Sequence, residues 1–587
     1  MNPDVTRRTV LKWMGGIAAG IVLSPAPYAL VDDLTIATQT RGRSVPLPTG
    51  ARGRVRTRCS ACPRGCSIEL HTVGGRPYLA VPATAGACSC ALRPAVHHLA
   101  SSPGRLDTAR LHGRTTDSHE GLEVAASWLE DAVGKGASIG VIDLSGRPAI
   151  ATPSASLVAR VPGAVRIETR AHWLDDLAAR VGLDPDLELS IDPRSVDDAL
   201  WLWPGRSIGP ARAIERGEDP RAVVDRLRAA GVRAVLLGED GVGARPDDAV
   251  LSSLARIDVD LGAIGSGRPI PVRRRVAPPA NVPTVALGDV DEGSFDLLVI
   301  DASRVAGAVP WRRMASLLRS GRGRSIVFAP TPGPAMRHGD LVLPASAPLE
   351  IEEGVGGERF GDAARIALST PVLERPRSCV DLHDLTRRVD SRTPCGADAL
   401  AAALVEGGYG RLRDPEDRTL RVAGLGAGTV ATELRRGAVW EGEGAAAGPV
   451  LRPAPTAAVV DDESPRLVLE GAMVVAAGER VPDVLSKVAR EQPLLPRGGR
   501  ARAHPEDLAD WGIVEGARCR LRTSAGRLDV VVFADAAVRR GHVLAGCGFG
   551  PESFGDPERA PEPTALEVLD LDPRSEAPPV IHALEVS

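Results

Sequence analysis

The chain has 587 residues, 43% of them hydrophobic and 25% charged, with a formal net charge of -4. That balance is globular, the length suits roughly three or four domains, and the absence of a basic surplus excludes nucleic acid as a general partner. Lysine is confined to Lys12, Lys135 and Lys487, a compositional bias with no functional weight.

In chain order, the N-terminus comes first. Arg7, Arg8 and Lys12 precede an apolar stretch at residues 13–23. It falls within the roughly 7–15 residues of a signal core and is too short for a membrane span, which needs about 20. The stretch Thr6-Arg7-Arg8-Thr9-Val10-Leu11-Lys12 resembles a twin-arginine export signal, with valine where phenylalanine is common. The expectation is export in folded form to the periplasmic, extracytoplasmic face of a membrane. Beyond the leader no long uninterrupted apolar run occurs.

Five of the nine cysteines fall between residues 59 and 90. Cys59, Cys62 and Cys66 are spaced Cys-x2-Cys-x3-Cys, and Cys88 and Cys90 follow. In an exported protein disulfides are the ordinary expectation, and zinc is the next. A tight triplet crowds three thiolates onto one loop, which suits a [4Fe-4S] cluster completed by a more distant fourth cysteine. Cys379, Cys395, Cys519 and Cys547 are scattered and read as small buried hydrophobes.

Short apolar runs follow at residues 138–144, 234–237, 297–301 and 325–329, with helical stretches at 221–230 and 311–319. The alternation predicts parallel βα units covered on both faces. Proline-rich stretches at 278–283 and 453–455 read as seams. The carboxylates of Glu350-Ile351-Glu352-Glu353 read as a solvated turn, since adjacent carboxylates repel. Near the C-terminus a helix is expected at 482–489. Strands are expected at 519–523, 527–533 and 543–545, a pattern of a small β-barrel.

The motif Cys-Ser-Ala-Cys-Pro-Arg-Gly-Cys at 59–66, with Ser102-Pro103-Gly104-Arg105-Leu106 after the later cysteines, resembles the N-terminal iron–sulfur domain of molybdopterin oxidoreductases that bind bis-molybdopterin guanine dinucleotide. The resemblance implies Cys59, Cys62, Cys66 and Cys90 as cluster ligands, with Cys88 as the alternative fourth. It continues at Ile191-Asp192-Pro193-Arg194, at residues 337–344 and at Glu353-Gly354. In the last part, residues 503–513 are similar to a segment near the pterin of the family's double-psi barrel, with His504 where the family has asparagine. Asp192, Arg194 and His504 are therefore the implied cofactor-side residues, and Asp507 reads equally as a helix N-terminal acid.

The implied fold is α/β plus β. Residues 1–40 are signal or anchor and 41–110 an iron–sulfur domain. Residues 111–460 are α/β dinucleotide-binding-like domains and 461–587 a double-psi β-barrel. Departures from the family bear on the chemistry. Leu92 stands where it places a basic residue thought to relay electrons, with Arg93 one position on. No cysteine lies between Arg105 and Asp192, where a metal ligand belongs; Ser154, Ser156, Asp175 and Asp176 stand there by residue type alone.

Three functions follow. The first is an electron-transfer and scaffold subunit without molybdenum chemistry, resembling the molybdopterin-like subunits of menaquinone reductase complexes and alternative complex III. Its partners would be a ferredoxin-like iron–sulfur subunit, an integral quinone-binding subunit and a multihaem cytochrome c. The second is an active molybdenum or tungsten oxidoreductase acting on a small substrate. The third is a binding module with a structural metal.

Overall fold

The computed structural model describes residues 50–61, 65–83, 96–97, 99–100, 105–145, 147–168, 173–191, 198–202, 213, 218–237, 241–242, 248–276, 281–304, 311–331, 338–356, 363–443, 466–470, 499–523, 526–546 and 581–586. The leader, the expected helix at 482–489, the 453–455 seam and the first half of the 278–283 seam lie outside them. The result is a mixed α/β protein with several sheets.

The chain divides into a small unit, residues 1–54 and 71–78, and a large one, 55–70 and 79–587. This part of the chain carries strands Arg52–Arg58, Ser67–Val73 and Arg76–Pro82. In the small unit Gly74 N–H donates to Ala51 O, and the His71 and Tyr78 rings meet edge to face.

At the centre of the large unit is an eight-stranded sheet. Its spatial order is Thr284–Ala286, Ala164–Glu168, Ile139–Asp143, Leu297–Asp301, Arg324–Ala329, Leu341–Pro344, Ala109–Leu111 and Arg114–Thr116. The first six run parallel, and the last two form an antiparallel hairpin at the edge. Ile139–Asp143 and Leu297–Asp301 are buried along their whole length, which is why they read as unbroken apolar runs rather than alternating ones. Gly140 leaves no room for a side chain, since a Cβ there would stand 2.8 Å from Leu298 and 2.9 Å from Ile167.

Helix Ser118–Gly134 covers one face with Leu122, Ala125, Ala126, Leu129 and Ala132. Asp117 caps it, accepting from the His119 and Glu120 N–H groups that the helix itself leaves without partners. From strand Ile139–Asp143 the chain steps to one side, through Ala164–Glu168. After an inserted lobe and Thr284–Ala286 it returns to the other side at Leu297–Asp301. The strand order reverses there. Such a reversal opens a crevice at the carboxyl ends of the strands, where open α/β sheets take ligands.

The lobe has its own core, built on helices Trp173–Arg180, Pro220–Ala229 and Asp248–Leu261 and two small sheets. A five-stranded antiparallel sheet follows, ordered Glu353–Gly356, Arg365–Ser369, Val439–Glu441, Arg411–Arg413 and Thr419–Arg421. A seven-stranded mixed sheet gathers Gly241–Val242 with the C-terminal strands. In it Arg466–Glu470 pairs parallel with His542–Gly546, and Gly499–Ala503 pairs parallel with Gly526–Ala534. The expected strands at 519–523, 527–533 and 543–545 are present as Arg518–Thr523, Gly526–Ala534 and His542–Gly546.

No helix of the described residues is long and apolar enough to cross a membrane.

Candidate functional site

The cysteine loop joins two neighbouring strands. Cys59 follows Arg52–Arg58 and Cys66 precedes Ser67–Val73. The Cys59 N–H donates to the Cys66 carbonyl at 2.8 Å, so the two ends of the loop are clasped and their side chains start from one place. Cys59 is buried and Cys66 half-buried, and neither is in a disulfide among the described residues. Gly65 has a φ of 57° and faces Val355 and Gly356 so closely that a Cβ would lie 3.0 Å from the Gly356 nitrogen. Cys62, Cys88 and Cys90 lie outside the described residues, and no group of three or more His, Cys, Asp or Glu side chains that could hold a metal occurs among the described ones.

Behind the loop is a knot of buried charge at the reversal point of the central sheet. In one row across three parallel strands stand Glu168, Asp143 and Asp301. Two of these strands end in a related motif: Val141-Ile142-Asp143-Leu144-Ser145-Gly146-Arg147 and Val299-Ile300-Asp301-Ala302-Ser303-Arg304. In each, the aspartate Oδ1 accepts from the serine N–H two residues on, at 2.8 Å for Ser145 and 3.0 Å for Ser303. Both arginines then converge on Glu353. Arg147 Nη1 reaches Oε2 at 2.7 Å, and Arg304 Nη2 reaches Oε1 at 2.9 Å. Arg304 also donates to the Ser346 and Ala347 carbonyls, and Arg147 to Gly354.

The knot is tied directly to the cysteine loop. Arg147 Nη2 donates to the carbonyl of Ser60, the residue after Cys59, and Leu349 N–H donates to the Ser60 hydroxyl at 3.3 Å. A separate buried pair is made by Arg105, the arginine of the Ser-Pro-x-Arg-Leu stretch. It forms a two-pronged pair with Glu350 and donates to Cys379 Sγ at 3.0 Å.

Electrostatics sort the carboxyls. Burial works to raise Glu353, but Arg147 and Arg304 overcome it and hold the group down at about 2. Asp143 is also held below the usual range against burial, by Arg166 and by hydrogen bonds from Ser145 and Ser154. Asp301 goes the other way: burial first, then the Asp143 carboxylate, push it up to about 6.

Glu350 and Glu353 correct the reading of residues 350–353 as a solvated turn. They are 5% and 6% exposed and paired with Arg105, Arg147 and Arg304. Adjacent carboxylates do repel, yet here each meets its own guanidinium. Ser154 is not presented as a ligand either: its hydroxyl donates to Asp143 Oδ2 at 2.8 Å and contacts Thr152. Asp175 accepts from Arg275 at 3.0 Å, and it and Asp176 lie in the first turn of helix Trp173–Arg180. Ser156 lines a cavity of about 170 Å³ with Thr152, His383 and Glu406. Asp192 and Arg194 lie outside the described residues. His504 caps helix Pro505–Asp510, its Nδ1 accepting from Glu506 N–H at 3.3 Å. Asp507 is buried, accepting from Gly541 N–H at 2.7 Å and from Arg540. Of the scattered cysteines, Cys379 and Cys519 are buried, Cys395 is half-buried against Arg387, and Cys547 is not described.

The knot itself was missed by sequence reasoning. The signal that could have found it is the repeated Val-Ile-Asp followed by Ser and Arg.

These residues belong to a mixed α/β chain with a clasped cysteine loop docked on the carboxyl edge of a parallel sheet. No protein-family profile matches the chain. It is similar to the menaquinone reductase molybdopterin-binding-like subunit of Nitratidesulfovibrio vulgaris, 30% identical over 129 residues. That match takes in 21% of this chain and 18% of the relative's length. The resemblance to molybdopterin oxidoreductases is thus matched by a relative of that description. Among solved structures, acetylene hydratase from Pelobacter acetylenicus aligns at a TM-score of 0.45 and 10% identity, covering 91% of this chain and 99% of its own. The formyltransferase/hydrolase complex from Methylorubrum extorquens aligns at 0.27 and 12% identity, covering 49% of this chain and 98% of its own.

Proposed function

We propose that this chain is an exported iron–sulfur subunit of a quinone-linked respiratory complex, carrying electrons and scaffolding its partners without molybdenum chemistry. In this reading residues 41–110 are the cluster domain and 111–460 the α/β body. Residues 461–587 are a double-psi barrel, and residues 1–40 direct twin-arginine export to the extracytoplasmic face. The partners are a ferredoxin-like subunit, a quinone-binding membrane subunit and a multihaem cytochrome c. The relative's name, a subunit of menaquinone reductase, supports a quinone-linked assembly.

The observation that carries the reading is the contrast between the two cofactor sites. The cysteine loop fits a cluster: two thiols of the triplet spring from one clasp, with Cys62 between them. Cys59, Cys62, Cys66 and Cys90, or Cys88 in its place, would hold iron there and supply one-electron chemistry. The reversal-point crevice does not fit an anionic pterin dinucleotide. Its guanidiniums, Arg147, Arg166 and Arg304, are bonded to Glu353, Asp143 and backbone carbonyls of the chain itself. A pyrophosphate would have to break buried ion pairs to be recognised, at a cost of about 3–5 kcal/mol for each one broken.

The test is iron content and electron paramagnetic resonance of the wild type and single cysteine variants. Cys62→Ala and Cys90→Ala should each lose the signal of a [4Fe-4S] cluster. Retention in Cys90→Ala with loss in Cys88→Ala moves the fourth ligand. A wild type with no iron overturns the reading.

A further inference from the structure

The charges around the reversal point are not evenly shared. Glu353 takes two guanidiniums, Arg147 and Arg304. Arg166 serves Asp143 and, at the rim, the half-exposed Glu168. Asp301 takes none: among the described residues its bonds come from the N–H and hydroxyl of Ser303, both onto Oδ1. Among the described residues four carboxylates thus meet three guanidiniums, and the one without such a pair is Asp301, beside Asp143 in register on the adjoining strand. On the other side, strand Arg324–Ala329 offers Phe328 and Ala329 at that level, and no charge. The charged groups acting on Asp301 are Asp143 and Arg147 from the adjoining strand end and Arg304 from its own; Arg166 and Glu168 lie one strand further on, and Glu353 on the five-stranded sheet.

We propose that the Asp143–Asp301 pair is a proton-binding site coupled through Arg147 to the charge on the cysteine loop, making electron transfer at that loop proton-linked. The inference rests on the cluster reading above. Arg147 is the link because its guanidinium feels Glu353, Asp143 and Asp301 on one side and bonds the Ser60 carbonyl on the other. An electron added at the loop makes the region one unit more negative. Asp301, the carboxylate without a guanidinium, then takes one proton from solvent and forms one O–H bond. The electron comes from a one-electron carrier of the iron–sulfur or haem class. When it leaves, Asp301 gives the proton back, so one electron and one proton move together and nothing else is consumed.

The test is the midpoint potential of the cluster, followed by electron paramagnetic resonance across pH, in the full chain and in Asp301→Asn. The potential of the wild type is expected to fall as pH rises through the region of 6 and to level off on either side. In Asp301→Asn it is expected to be flat, close to the acid limit of the wild type. A pH-independent wild-type potential, or a slope that survives in Asp301→Asn, overturns the proposal while leaving the cluster reading intact. A wild type without any cluster signal overturns both. Should Asp301→Asn not fold, the wild-type infrared difference spectrum decides: a protonated-carboxyl band gained on reduction supports the proposal, and its absence refutes it.

Discussion

Asp143 and Asp301 end neighbouring parallel strands, in register, with the same serine two residues on and a following arginine aimed at the same glutamate. Their carboxyls nevertheless differ in opposite directions, one held down and the other pushed up to about 6. The local motif cannot be the reason, because it is shared. Asp143 has Arg166 and Ser154 arriving from a strand and a helix that have no counterpart beside Asp301. Asp258 completes the series. Buried in helix Asp248–Leu261, its Oδ1 accepts from Val235 N–H at 2.8 Å, while Oδ2 has no partner among the described residues. Burial alone therefore raises it well above the ordinary value. A guanidinium in contact, one nearby, and none at all give three different carboxyls in one chain.

The comparison breaks hardest at its shared partner. Glu353→Gln leaves two buried guanidiniums without their carboxylate, so the expected loss exceeds the roughly 3–5 kcal/mol typical of one broken buried pair. Urea denaturation reads it, and a loss below about 1 kcal/mol would mean the knot is not a structural centre. Next comes Arg166→Met, which makes Asp143 resemble Asp301. We expect a loss of about 3 kcal/mol and a new carboxyl titrating upward in carbon-detected nuclear magnetic resonance. An Asp143 that stays low would show that the serines, not Arg166, hold it down.

The smallest change is Asp258→Asn, and its sign is distinctive. Both folded and unfolded chains hold the proton well below pH 4. As pH rises past the unfolded value of about 3.9, the unfolded chain ionises and the folded one does not. Wild-type stability is therefore lost upward from that pH until the folded group also ionises. Each unit of elevation costs about 1.4 kcal/mol, so Asp258→Asn should melt higher than wild type at pH 7 and close to it at pH 4. Equal melting at both would place an unseen partner on Asp258.

The contrast also explains what the sequence revealed. Strands Ala234–Leu237 and Leu297–Asp301 were legible to the residue, because a strand buried on both faces writes a continuous apolar run. The helix expected at 311–319 stops at Ser316 because Leu318 is drawn into a bridge with Phe295. The cysteine loop was legible because its residues are adjacent. The knot was not, since Glu353 and Arg147 are 206 residues apart and Glu350 and Arg105 are 245 apart. Acids that looked like a solvated turn find their cations only once the sheet has formed. Even so, the paired Val-Ile-Asp motifs were readable and would have placed two like strand ends side by side.

The central claim is a cluster without molybdenum. Elemental analysis of the protein purified from its native host tests it most directly, since a foreign host that lacks the pterin would give the same result for a trivial reason. The account predicts about four irons per chain and neither molybdenum nor tungsten. Molybdenum or tungsten near one atom per chain would contradict it and make this chain a catalytic oxidoreductase.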